Sequence, residues 1–118
     1  MSYDKNNIFA KIIRGEIPCK KVYENDYVLA FHDINPQKKV HVLVIPKGEY
    51  VDLDDFNNKA SDKEILELNK AVTHVANLMG TKNKGYRSLT NIGNDGGQEV
   101  PHLHFHIFAG EKIGKMVS

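Results

Sequence analysis

The chain has 118 residues, 41% hydrophobic and 26% charged, which suits a single domain over residues 1–118 with a core of its own. Sixteen basic against fifteen acidic residues give a net charge of +1, which excludes the basic excess of a protein built to grip nucleic acid or an anionic membrane. The lone cysteine, Cys19, excludes an intrachain disulfide, and no apolar run approaches a membrane span or a secretory signal, so the cytoplasm is the expected location.

In chain order, Asn7 is placed to cap a short helix over residues 8–14, whose Ile8, Phe9, Ile12 and Ile13 form one apolar stripe. Gly15 and Pro18 punctuate its end. Residues 20–24 read as a first strand and residues 27–32 as a second, joined by an Asn25-Asp26 turn. Asp33 then leaves the sheet, either as a solvated turn carboxylate or as an acceptor for a sugar diol. Residues 40–45 form a third strand closed by Pro46. It is apolar on both faces and therefore central. His41 shares a face with Leu43 and Ile45, as a satisfied core histidine or, beside a second histidine-bearing strand, as part of a site.

Residues 48–59 read as a polar connection. Ser61 and Glu64 make a capping box that opens a helix to about Met79, with Ile65, Leu68, Val72, Val75 and Met79 facing the core and Gly80 ending it. A fourth strand covers residues 86–91. Residues 93–97, with Gly93, Gly96 and Gly97, read as a long hairpin turn or as a nest of N–H groups aimed at an anion.

The fifth strand carries His102-Leu103-His104-Phe105-His106-Ile107-Phe108. Alternation along a strand puts the three imidazoles on one face, about 6–7 Å apart, and Leu103, Phe105 and Ile107 on the other. Chance, a metal site and nucleophilic acid–base chemistry all suit that spacing. The whole pattern predicts an α+β fold with a five-stranded, mainly antiparallel sheet, two helices and open sheet edges that a second copy could cover.

Four blocks in order, residues 8–18, 30–36, 41–46 and 102–108, resemble the histidine-triad (HIT) family, specifically its Hint branch. The last block fits the pattern in which three histidines alternate with apolar residues. The third histidine argues against the uridylyltransferase branch, which has Gln there. The resemblance implies a homodimer sharing an extended sheet. It also implies hydrolysis or transfer at the α-phosphate of purine nucleotides, AMP- or GMP-like, with phosphoramidates or aminoacyl-adenylate-like compounds as substrates. His104 would be the nucleophile, oriented by the His102 carbonyl, with His106 and His41 completing the phosphate and leaving-group contacts and a neighbouring histidine protonating the amine. Asn91 and Gln98 match phosphate-pocket positions and Asp33 the ribose acceptor; Ile8, Phe9, Ile12, His32 and Leu43 match the base and ribose side. An imidazole with an ordinary pKa of about 6.5 is substantially neutral at pH 7 and can attack phosphorus without a cofactor. Pro101, Glu99 and a short tail without Trp depart from the family pattern. The competing readings are a small zinc-binding domain using His102, His104 and His106, with or without His41, and a nucleotide-binding regulatory module with little turnover.

Overall fold

A computed structural model describes residues 2–117. The elements are α1 (Ile8–Ile13), β1 (Lys21–Glu24), β2 (Val28–His32), β3 (Val40–Pro46), α2 (Leu53–Lys59), α3 (Asp62–Leu78), β4 (Arg87–Leu89) and β5 (Phe105–Ala109). The strands form one antiparallel sheet in the order β1-β2-β3-β5-β4. This is the expected α+β architecture, with β3 at its centre and the histidine-bearing β5 beside it.

Strand alternation divides the apolar side chains between two faces. Val28, Ala30, Val42, Val44 and Ile107 pack with Phe56 of α2 and with Leu68, Ala71, Val75 and Ala76 of α3. Leu29, Phe31, Leu43 and Ile45 point the other way and pack with Phe9 of α1, with Cys19 and Val100 at the margin. The long α3 covers the first face. On the second face α1 is a single short helix, and imidazoles stand beside it.

Three expectations are corrected. There are three helices, not two: residues 53–59 form α2 inside what reads as a polar connection. Its one buried side chain is Phe56, too little for a periodic stripe. It is held by its Asp52 cap, which accepts from the Asp55 N–H at 2.8 Å, and by Asp55, which accepts from the Val51 N–H at 2.9 Å. The second correction concerns the histidines. β5 begins at Phe105, so His102 and His104 precede the strand and only His106 lies in it. Pro101 has no N–H to give to a ladder, and the Leu103 N–H donates to the Tyr50 carbonyl in a loop at 2.9 Å. The Thr90 hydroxyl takes up the His104 carbonyl at 2.7 Å. β4 is also shorter than expected, three residues at one sheet edge.

The capping box of α3 is present in full: Ser61 accepts from the Glu64 N–H at 3.2 Å and Glu64 accepts from the Ser61 N–H at 3.0 Å. Among the described residues no helix is long and apolar enough to cross a membrane.

Candidate active site

The antiparallel register of β3 and β5 sets His106 opposite Leu43 and His41 opposite Phe108. His41 and His106 are therefore diagonal neighbours, and His41 Nε2 lies 2.9 Å from His106 Nδ1. The protons on this pair can be assigned. The Gln37 backbone N–H donates to His41 Nδ1 at 3.1 Å, so a neutral His41 carries its hydrogen on Nε2. That N–H donates to His106 Nδ1, which leaves the hydrogen of His106 on its own Nε2. Asp33 Oδ2 stands 3.4 Å from His41 Nε2 as a second acceptor. Its Oδ1 accepts from the Asn35 N–H at 2.8 Å, which orients the carboxylate. The ring of Phe108 lies parallel to that of His106, within 4°.

The other two histidines are arranged by the segment before β5. His102 is completely buried, 0% exposed. Its Nε2 lies 2.8 Å from the Pro46 carbonyl oxygen, which can only accept, so Nε2 carries the proton. Its Nδ1 accepts from the Tyr3 hydroxyl at 2.6 Å. The His102 carbonyl in turn accepts from His104 Nδ1–H at 2.7 Å. His104 thus presents an unprotonated Nε2, a nitrogen with a free lone pair. The Phe9 ring packs edge-on against His104 at 4.9 Å between centroids, and the His106 ring stands 5.0 Å away.

Burial, which penalises the charged imidazolium, dominates the protonation of this group. It pushes His102 down to about 4. It does the same to His106, helped by His104 and His41, again to about 4. His104 and His41 are lowered chiefly by burial, with Asp33 acting in the opposite direction on both. Burial thus favours the neutral form of all four rings, each with a defined donor side and acceptor side.

The remaining residues singled out from sequence do not all reach the imidazoles. Phe9 touches His102 and His104, Leu43 lies opposite His106, and Asp33 faces His41, so these join the imidazoles. Ile12 packs beside the Phe9 cluster; Ile8, 42% exposed on α1, and His32, at the exposed end of β2, make none of these contacts. Asn91 is half-buried beyond β4. Gln98 is occupied elsewhere: its Nε2 donates to the Val51 and Val100 carbonyls at 2.6 and 3.0 Å, and its Oε1 accepts from the Gly93 N–H at 3.1 Å. It pins the glycine turn to the loop before α2 and has no amide hydrogen left for a ligand. The turn is internally bonded through Gly97 N–H to Asn94 O and Gln98 N–H to Gly93 O. That is the pattern of a long turn more than of an anion nest. A side chain at Gly96 would meet the Ile92 carbonyl oxygen at 2.3 Å, which explains the glycine there. Two residues that sequence reasoning did not single out, Tyr3 and Gln37, contact the imidazoles. Tyr3 is 99 positions from its partner, and Gln37 acts through its backbone N–H, so neither leaves a local signal.

The donor atoms of Asp33, His41 and His106 lie within 4.8 Å of one another, the one histidine-containing cluster of metal-ligating type among the described residues. Its protons oppose a metal. His41 would have to bind through Nε2, move its hydrogen to Nδ1, and there confront the Gln37 N–H, donor against donor. The row of His102, His104 and His106 fits no better, because both nitrogens of His102 are engaged by Tyr3 and Pro46.

A family model described as HIT domain matches residues 14–113. A 13.2 kDa HIT-like protein of Azospirillum brasilense is 58% identical over 117 residues, covering 99% of this chain and 96% of its own. Among solved structures, a HIT family hydrolase from Clostridium thermocellum superposes with a TM-score of 0.88 at 38% identity, over 98% of this chain and 99% of its own. A histidine triad protein from Clostridium difficile superposes with a TM-score of 0.84 at 44% identity, over 97% and 98%.

Proposed function

The chain belongs to the HIT domain family, and on that premise we propose that it is a nucleoside phosphoramidase of the Hint type. It would cleave purine nucleoside 5′-phosphoramidates or aminoacyl-adenylate-like compounds at the α-phosphorus through a nucleotidyl-histidine. The observation that carries this reading is the 2.7 Å bond from His104 Nδ1–H to the His102 carbonyl. It leaves His104 Nε2 unprotonated and neutral beside a second imidazole whose Nε2 bears hydrogen.

In this mechanism His104 Nε2 attacks the α-phosphorus and forms an N–P bond. The bond from phosphorus to the substrate's amine nitrogen breaks, and its electron pair leaves with the amine, which takes a proton from solvent. His106 Nε2–H donates to a phosphoryl oxygen as charge develops there. Sequence alone suggests a neighbouring histidine as the proton source. A neutral His106 holding one ring hydrogen would become an imidazolate if it gave that hydrogen away, so its part is to hold, not to transfer. Water then attacks phosphorus, the N–P bond to His104 breaks, and the nucleoside monophosphate leaves, consuming the hydroxide equivalent left by the first step. The apolar wall of Phe9, Ile12 and Leu43 suits a purine face, and Asp33 suits a ribose hydroxyl if the diol displaces its long contact to His41. The scheme needs no cofactor and belongs in the cytoplasm.

The test is turnover of an adenosine phosphoramidate bearing a fluorescent amine, with and without a chelator. Hydrolysis should persist with chelator and fall at least about a thousandfold in His104→Ala while nucleotide binding survives. Activity lost to chelator and restored by zinc would overturn the scheme, as would nucleotide binding without turnover.

A further inference from the structure

We propose that Tyr3 is a positioning residue for the nucleophile, fixing through His102 the tautomer and position of His104. The inference rests on the reading of His104 as nucleophile, and it extends the site to a segment that precedes the first helix.

The chain of contacts is short. The Tyr3 hydroxyl lies 2.6 Å from His102 Nδ1. The far side of that ring donates to the Pro46 carbonyl at 2.8 Å. Tyr3 and Phe9 stand edge-on to the same ring, at 5.6 and 6.3 Å between centroids. A fully buried imidazole held at both nitrogens and flanked by two aromatic rings has one orientation and one tautomer. Its own carbonyl is the acceptor that keeps the His104 hydrogen on Nδ1. Fixing the ring of His102 therefore fixes the group that decides which nitrogen of His104 is free.

The donor is unambiguous. Pro46 takes the Nε2 hydrogen, so Nδ1 can only accept, and Tyr3 supplies the hydrogen. Burial raises the pKa of the Tyr3 hydroxyl, which keeps it protonated. The segment that carries Tyr3 is itself anchored. Asn7 donates from its side chain and its backbone to the Asp4 carbonyl at 2.7 and 3.2 Å. Arg14 donates to the Lys5 carbonyl at 2.9 Å. These bonds tie the segment that carries Tyr3 to both ends of α1. Without the hydroxyl, Nδ1 of a ring with no exposed surface loses its donor, and the ring regains the freedom to tilt or to admit water.

The experiment compares wild type with Tyr3→Phe, which keeps the aromatic packing, and uses two readouts. Steady-state turnover of the adenosine phosphoramidate should show kcat lowered about tenfold with KM nearly unchanged, as expected for a small misplacement of the attacking atom. The imidazole region of nitrogen–proton NMR spectra, recorded without ligand, should show His102 Nδ1 shifted and the His104 Nδ1–H exchanging faster with water. Wild-type kcat with an unchanged imidazole spectrum would overturn the proposal. So would a loss of kcat that follows a loss of melting temperature while both imidazole signals stay in place, because that is the mark of a purely structural anchor. The spectra report on the clamp whether or not the wild type turns over this substrate, so failure of the phosphoramidase reading and failure of the Tyr3 reading are separable.

Discussion

At the scale of single residues, the site depends on where four imidazole hydrogens sit. Three are fixed by partners that can play only one part, and the fourth, on His106, follows from His41. A carbonyl accepts from His102 and another accepts from His104, while a backbone N–H donates to His41, which in turn donates to His106. This arrangement requires neutral rings, and burial supplies that condition. It also makes a prediction about pH. His102 and His106 are held at about 4, below the ordinary 6.5. As pH falls from 6.5 towards 4, the unfolded chain takes up protons that the folded chain refuses, so stability falls with pH across that window and is fully present above it. Melting temperatures taken from about pH 7.5 down to about pH 4.5 should fall steadily below about pH 6.5, and substituting His102 by Asn should flatten part of that slope. A melting temperature that does not change across the window would contradict the assignment of buried neutral imidazoles.

At the scale of elements, the strands and α3 were legible because each carries a period. Alternation in residues 40–46 and 105–109 separates Val42, Val44 and Ile107 from Leu43, Ile45 and His106, and both strands pack as that alternation requires. Ser61 and Glu64 announce α3 by a side-chain pattern that works locally. α2 leaves no such mark, because seven residues with one buried Phe56 have no period. The histidine segment shows only part of its structure in its spacing. The spacing of two is real, yet Pro101 and the bond from Leu103 to Tyr50 take residues 102–104 out of the ladder. This is why His102 is buried and bonded at both ring nitrogens and is not a member of an open row. Contacts such as Tyr3 with His102 are long-range and lie beyond any local pattern. The sheet order leaves β1 and the three-residue β4 at its edges, each with unpaired backbone groups. We propose that two copies join across such an edge. Sedimentation at micromolar concentration should give about twice the 13.3 kDa chain mass; a single-chain mass would contradict this pairing.

At the scale of the whole molecule, one face of the sheet is covered by helices and the other carries the imidazoles. α3 and α2 cover one face with a continuous apolar layer. The other face receives one short helix, which leaves room beside Phe9 for His104, His106 and His41. The segments that orient these rings come from distant parts of the chain: Tyr3 ahead of α1, Gln37 between β2 and β3, and Pro46 at the end of β3. The fold thus presents the unprotonated Nε2 of a buried imidazole, His104, beside the ring of His106, and we read that nitrogen as the nucleophile. The most direct test of that account is rapid acid or base quenching of the protein during turnover of an adenosine phosphoramidate, followed by mass spectrometry of the intact chain and its peptides. The account predicts a transient adenylyl adduct on the peptide containing His104, preserved under alkaline quench and lost in acid, and absent from His104→Ala. Full turnover in His104→Ala, or an adduct residing on another residue, would contradict it.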